Sequence, residues 1–146
     1  MIALYTDGGA RGNPGIAGAG VHIQNEESET IEDCSKALGT ATNNEAEYHA
    51  VILGLSRLIE RYGGALTGMQ VELKLDSELI GRQLIGTYRV KSPRLRALYN
   101  EVTRLRHSVP LLTITTIPRE ENKIADKLAN KAMDEANVKF KNQKSK

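Results

Sequence analysis

Residues 2–15 read IALYTDGGARGNPG, and this segment combines a strand pattern with the turn that follows it. Side chains alternate between two faces from residue 2 to residue 6, which predicts a β-strand that ends at Gly8 and Gly9. The next segment, Gly12-Asn13-Pro14-Gly15, predicts a tight turn. Asp7 therefore lies at the end of the predicted strand, where packing offers no reason for an acidic side chain.

The periodicity of the remaining sequence predicts one α/β domain. Two strands after the turn would complete an antiparallel meander of three, and Ser92-Pro93 predicts a helix start because serine caps and proline favours the first helical position. We expect residues 1–136 to form the domain and residues 137–146 to form a basic, disordered tail. The predicted strands lie at residues 2–6, 17–24, 29–38, 69–75 and 111–117, and the predicted helices at residues 43–62, 77–84, 93–107 and 120–136.

The composition is that of a globular protein. The chain has 146 residues, of which 40% are hydrophobic and 26% are charged, and a domain of this size buries roughly 70% of the surface of its unfolded form. No apolar run approaches the ~20 residues of a membrane span, and Met1 leads at once into a strand pattern instead of a signal peptide. Cys34 is the single cysteine, so a reducing, cytoplasmic setting is the simpler expectation.

Basic residues are concentrated in two segments, although the net charge is only +2. One segment lies between residues 82 and 106, and the other is the lysine-rich tail. Such runs are typical either of a solvated surface or of a surface that contacts a phosphate backbone, and the sequence leaves both interpretations open.

Four acidic residues occupy positions that packing does not explain: Asp7, Glu47, Asp76 and Asp126. Asp7 and Asp76 end strand patterns, whereas Glu47 and Asp126 lie near the starts of helical patterns. Converging carboxylates repel one another and lose hydration, and Mg²⁺ relieves both costs because it prefers oxygen ligands. Two ions ~3.5–4 Å apart stabilise both the entering and the leaving oxygen of an in-line phosphodiester displacement. The pattern therefore predicts a two-metal carboxylate cluster that needs no covalent nucleophile.

Glu45 and Glu47 are predicted to have different roles. Thr42 and Glu45 have the spacing of a capping box, in which the two residues satisfy each other's backbone amides at a helix start. Glu47 instead shares its helical stripe with Ala50, Val51, Gly54, Leu55 and Leu58, the face that packs on the sheet. An ion is rarely placed on such a face without a partner.

These motifs resemble those of type 1 ribonuclease H, the endonuclease that cuts the RNA strand of an RNA/DNA hybrid. The resemblance covers roughly residues 2–133 in one order. It implies a ribonuclease H-like α/β fold, with a five-stranded mixed sheet whose first three strands are antiparallel and helices on both faces. The segments that carry it are Thr6-Asp7-Gly8, Gly12-Asn13-Pro14-Gly15, Thr42-Asn43-Asn44 with Glu47, Leu75-Asp76-Ser77, and Pro118-Arg119-Glu120-Glu121-Asn122 with Ala125-Asp126 and Leu128-Ala129.

The resemblance also implies a role for each acid. Asp7 would bridge two Mg²⁺ ions, for which Mn²⁺ is a possible substitute, and Glu47 and Asp76 would complete one metal site. Asp126 would support the ion that carries the attacking water. The RNA strand would be recognised through its ribose 2′-hydroxyl, with contacts to the hybrid from Gly9, Ala10, Asn13, Asn43 and Asn44. Taken alone, the asparagines also fit turn and helix-capping roles.

The chain departs from the family pattern in three places. Many relatives carry a histidine before the last helix, where this chain has Thr115 and Thr116, so a proton shuttle there is not expected. The long basic handle of some bacterial relatives is absent. With no Trp and one Phe, stacking against the DNA strand must rest on tyrosine, and Tyr88 is our candidate.

Two other functions remain open beside a metal-dependent hybrid endonuclease acting as a monomer. One is a catalytically silent hybrid-binding module, although a binding surface gains nothing from carboxylates aimed at phosphates. The other is a nuclease of the same fold that acts on duplex RNA or a recombination junction. The Thr-Asn-Asn and Gly-Asn-Pro-Gly segments favour the hybrid.

Overall fold

A mixed five-stranded sheet in the order β3-β2-β1-β4-β5 forms the centre of the computed structural model, which describes residues 1–144. Short 3-10 helices at Gly63–Gly68 and Arg119–Glu121 connect larger elements. The strands are β1 (Ile2–Gly12), β2 (Gly15–Gln24), β3 (Thr30–Ala41), β4 (Val71–Leu75) and β5 (Leu112–Thr116). The helices are α1 (Asn43–Tyr62), α2 (Glu78–Ile85), α3 (Pro93–Arg106) and α4 (Lys123–Lys144).

The sheet confirms the predicted meander and the turn. β1, β2 and β3 pair antiparallel, and β4 pairs parallel with both β1 and β5. The predicted end of the first strand at Gly8 and Gly9 was wrong, because both glycines remain paired with β2, opposite Ala19 and Gly18. The backbone ladder continues there without help from side chains, and β1 therefore carries Asp7 in its interior.

Helices cover both faces of the sheet, as expected. On one face, Gly54 of α1 approaches Leu4 and Thr6 of β1, while on the other face Gly18 and Gly20 of β2 lie against the backbone of α4. The main core lies on the α1 side, where α2 and α3 also contribute apolar side chains. Its fully buried members include Leu4, Val21, Ile23, Tyr48, Leu55, Leu58, Leu73, Leu75 and Ile80.

The close approach of α4 to β2 leads to a stability prediction. A Cβ at Gly20 would overlap the carbonyl oxygen of Ala125 and crowd the amide of Ala129, and overpacking of this kind costs about 1–3 kcal/mol. We expect Gly20→Ala to lower the free energy of unfolding by at least this amount in urea denaturation. Gly64→Ala is the matched control, because no atom lies within 4 Å of the added Cβ. Equal urea midpoints for Gly20→Ala and Gly64→Ala would contradict the close packing of α4 on β2.

Two helix starts follow their sequence signals, and one helix end does not. The capping box of Thr42 and Glu45 and the Ser92 cap before Pro93 are both present. α4, however, continues to Lys144, although a disordered tail was predicted from residue 137. Neither Gly nor Pro interrupts residues 137–144, and several of these residues favour helix. Residues 145–146 lie outside the described part of the chain.

Among the described residues, no helix combines the length and the apolar character that crossing a membrane requires.

Candidate metal centre

The parallel pairing of β1 and β4 places Asp7 beside Asp76. The last pair in this register joins Tyr5 to Lys74, and each aspartate lies two residues further along its strand direction. β4 ends at Leu75, while β1 continues along β2 alone. A crevice therefore opens at the carboxyl ends of the parallel strands, the usual position for ligand sites in sheets of this kind.

Gly8 allows the third carboxylate to join this pair. A Cβ at Gly8 would overlap the backbone carbonyl of Ala46 and crowd the amide of Glu47. Glycine therefore lets the first turn of α1 lie directly against β1, next to Asp7. As a result, one carboxylate oxygen from each of Asp7, Glu47 and Asp76 lies within 4.8 Å of the others.

Asp126 comes from the first turn of α4 and lines the same cleft as the other three acids. It is half-buried, and it lies close enough to Asp7 to raise the pKa of that carboxyl group. The structure therefore brings all four predicted acids together, with three of them in the tighter group. Their assignment as metal ligands stays a prediction.

Burial and mutual repulsion both disfavour the charged forms of these acids. Burial first, and then the charges of Asp76 and Asp126, raise the pKa of Asp7 from 3.8 to about 8. Burial and the charge of Asp7 hold the pKa of Glu47 well above its ordinary value. The Oε2 atom of Glu47 is buried with no hydrogen-bond partner. An oxygen-seeking divalent cation would relieve both the repulsion between the carboxylates and the cost of burying their charges, so these residues fit such an ion.

The cleft around the acids contains four of the six predicted substrate contacts. Gly9, Ala10, Asn43 and Asn44 line it, while Asn13 and Tyr88 are absent from the lining. Arg11, Ser77, Arg119, Asn130 and Met133 complete the wall together with Gly8. The cavity has a volume of about 400 Å³. Ser77 already has a structural role, because its hydroxyl oxygen accepts the amide hydrogen of Ile80 at the start of α2.

Asn13 and Asn43 form part of a hydrogen-bond network within the protein. The Asn43 amide donates to Oδ1 of Asn13 at 3.0 Å, and the Ala10 amide donates to Oδ1 of Asn43 at 2.9 Å. The Ala10 N–H group, which we had expected to contact the hybrid, is thus already paired. These bonds hold the β1–β2 turn against the start of α1, so both asparagines have the local structural role that the sequence left open.

Tyr88 lies away from the carboxylates, in the segment between α2 and α3. Tyr88 is 46% exposed, and the guanidinium of Arg82 lies 5.3 Å from its ring centre. An exposed ring supported by a cation suits a stacking contact. Its contact with the DNA strand stays a prediction.

Sequence reasoning missed two residues near the acids, Arg119 and Asn122. In the segment between β5 and α4, the side chain that lines the cleft is Arg119. Thr115 donates to Glu72 at 2.7 Å, and the Thr116 hydroxyl lies where a side chain at Gly81 would be. Asn122 is completely buried and donates to Asp76. Both missed residues belong to a quoted motif, but only the tertiary structure shows what they contact.

Fold and site together define the ribonuclease H class, in which a β3-β2-β1-β4-β5 sheet carries acidic side chains at the end of its central strands. A family model described as Reverse transcriptase-like matches residues 5–132. The structure superposes on LC11-RNase H1, isolated from compost by a metagenomic approach, with a TM-score of 0.89 and 47% identity, covering 93% of this chain and 97% of that one. The chain belongs to this family, as one of its type 1 ribonuclease H members.

Two curated relatives agree with this assignment. Ribonuclease HI of Halobacterium salinarum is 36% identical over 135 residues, which cover 92% of this chain and 65% of that protein. The Bifunctional protein Rv2228c of Mycobacterium tuberculosis is 36% identical over 136 residues, but the chain spans only 36% of its length. Its N-terminal RNase H domain, solved as a fusion protein, superposes with a TM-score of 0.87 at 34% identity, covering 95% of this chain and 97% of that one.

Proposed function

We propose that this chain is a metal-dependent endonuclease that hydrolyses the RNA strand of RNA/DNA hybrids. The observation that carries the proposal is the convergence of Asp7, Glu47 and Asp76 within 4.8 Å in an open cleft. A structure of LC11-RNase H1 in complex with RNA/DNA hybrid supports the hybrid as the substrate.

The four acids suit a site for two Mg²⁺ ions, with Mn²⁺ as a possible substitute. When bound, such ions stabilise the charge that develops on the entering and leaving oxygens of a phosphodiester displacement. Asp7, whose carboxylate lies within 4.8 Å of those of Glu47 and Asp76, would help to hold these ions. Glu47 and Asp76 would hold one of them, and the half-buried Asp126 would help to hold the other.

Other side chains of the cleft would position the hybrid. Arg119 lines the acidic cleft, and its guanidinium can bind a phosphate oxygen next to the carboxylates. Arg11 lies at the rim, where it pairs with Asp134 at 2.6 Å and donates to Asn130 at 3.4 Å. Asn44 lines the cleft and offers both a donor and an acceptor to a ribose hydroxyl.

Duplexes of defined composition test the proposal directly. Labelled RNA/DNA, RNA/RNA and DNA/DNA duplexes are incubated with Mg²⁺, then with Mn²⁺, then with a chelator. We expect cleavage of the RNA strand of RNA/DNA only, and no cleavage with chelator. Cleavage of RNA/RNA at a similar rate would favour the broader nuclease, whereas hybrid binding without cleavage in either metal would favour the silent binding module.

We also propose that the chain acts as a monomer in the cytoplasm. One domain carries all four acids, so a single copy can present the complete cleft to a duplex. The single cysteine, Cys34, is free and supports a reducing compartment.

A further inference from the structure

Asn122 contacts two parts of the metal centre at once. Its side chain is fully buried, and Nδ2 donates to the backbone oxygen of Thr6 and to Oδ2 of Asp76, both at 2.9 Å. Both partners are acceptors, so the amide orientation is determined by chemistry: only the NH₂ group can face them. One neutral side chain thus uses both of its hydrogens.

Local helix structure does not explain this arrangement. Asn122 immediately precedes α4, and its backbone oxygen accepts the amide hydrogen of Asp126 at 3.1 Å, so it occupies the N-cap position. Asparagine is favoured there because its side-chain oxygen usually accepts an amide of the first turn. In this protein, Oδ1 of Asn122 is buried and has no hydrogen-bond partner. The side chain turns toward the acids instead of capping its helix.

We propose that Asn122 is a positioning residue that sets the separation of the Asp7 and Asp76 carboxylates for divalent-cation binding. Thr6 directly precedes Asp7, so the two hydrogen bonds tie the strand that carries one acid to the carboxylate of the other. α4 also begins at Asn122 and carries Asp126 in its first turn. Three acids from three elements therefore share one buried anchor. The inference rests on the proposed function, because it concerns the same metal centre.

A neutral double donor suits this task better than a charged group. A lysine at this position would compete with the cation for the carboxylate, and an aspartate would repel Asp76 and the Thr6 carbonyl. The asparagine amide restrains the Asp76 carboxylate and leaves its negative charge available. Partners that orient ligand carboxylates typically contribute about 10–100-fold in metal affinity or activity.

The test compares Asn122→Ala and Asn122→Ser with the parent, with Tyr48→Phe as the control. Tyr48 donates to Gln83 at 2.6 Å in the core, so the control loses a buried hydrogen bond that involves none of the four acids. Mn²⁺ affinity is measured by titration calorimetry, together with Tm, and kcat and KM are measured on a hybrid across a range of Mg²⁺ concentrations.

We expect Asn122→Ala to bind Mn²⁺ about 10-fold more weakly or worse, with a lower kcat that partly recovers at high Mg²⁺ and an unchanged KM for the hybrid. Asn122→Ser, which keeps one donor, should give an intermediate affinity even if the alanine variant fails to fold. Tyr48→Phe should lower Tm and leave Mn²⁺ affinity at the parent value.

Parent-like Mn²⁺ affinity in a folded Asn122 variant would overturn the inference and leave a purely structural asparagine. A parent that binds Mn²⁺ at the acids but cleaves no hybrid would refute the proposed function alone, since the affinity series would still report on Asn122. A parent that binds no divalent cation would overturn both.

Discussion

Asp7→Asn is expected to abolish hybrid cleavage and yet to make the metal-free protein more stable at pH 8. Asp7 contacts or repels the other acids of the cluster, so its loss should lower kcat by roughly 10³-fold, the upper end of what removal of one preorganised electrostatic group costs elsewhere. The same change removes a carboxylate whose pKa is raised to about 8 by burial, Asp76 and Asp126. Activity and stability therefore move in opposite directions.

The pH dependence of this stabilisation follows from the direction of the pKa shift. The folded protein binds the Asp7 proton up to about pH 8, while the unfolded chain releases it near the ordinary value of 3.8. Between these two values the folded state holds more protons, so the free energy of unfolding falls as the pH rises. Asp7→Asn should match the parent near pH 4 and exceed it by on the order of 1 kcal/mol or more at pH 8.

Urea denaturation in the presence of chelator, repeated from pH 4 to pH 8, measures this difference. Glu60→Gln is the matched control, because Glu60 is an exposed acid of α1 whose carboxylate pairs with Arg57 at 2.8 Å. The control should keep both the parent's activity and its dependence of stability on pH. If Asp7→Asn kept the parent's pH dependence, the carboxylates would not repel one another in the folded protein.

Local signals in the sequence were sufficient to find the four acids. Each acid ends a strand pattern or lies near the start of a helical pattern, and the Thr42-Glu45 capping box distinguished the structural Glu45 from Glu47. These signals involve neighbours within a few residues, which a sequence displays directly. The five-stranded mixed sheet with helices on both faces was available only through resemblance to a family.

Features that depend on distant partners were not predictable. Gly8 and Gly9 read as a break because glycine disfavours strands, but β2 keeps both in the ladder, and the missing side chain lets α1 approach. The Ala10 amide is paired by Asn43, 33 residues away in the sequence. Asn122 falls inside the helix predicted for residues 120–136, and its bond to Thr6 spans 116 residues. No periodicity or spacing reports such contacts.

The extension of α4 has a different origin. The lysine-rich segment reads as a tail because of its charge, but charge alone does not end a helix. Each residue added to an established helix gains one backbone hydrogen bond, and α4 already packs on β2 at Gly18 and Gly20. A stopping signal such as glycine or proline is missing up to Lys144.

Glu47→Gln and Glu45→Gln should have opposite effects, although the two residues are neighbours on the same helix. Glu47→Gln removes a buried carboxylate beside Asp7 and should lower kcat by roughly 10²–10³-fold. Glu45→Gln should keep activity within a few fold, because Glu45 accepts the Thr42 amide at 2.9 Å and pairs with Arg94 at 3.1 Å instead of joining the cluster.

Stability without metal separates the two glutamates independently of activity. The Thr42 amide, with a smaller contribution from Arg94, lowers the pKa of Glu45, so its stabilising contribution is present above the ordinary value of 4.5 and is lost as the pH falls below it. Burial and Asp7 raise the pKa of Glu47, so its charge destabilises the folded state as the pH rises. At pH 7 in chelator, Glu45→Gln should unfold at lower urea than the parent and Glu47→Gln at higher urea. Equal loss of cleavage in both variants, or a shift of both midpoints in one direction, would contradict the separation of a capping acid from a metal-binding acid.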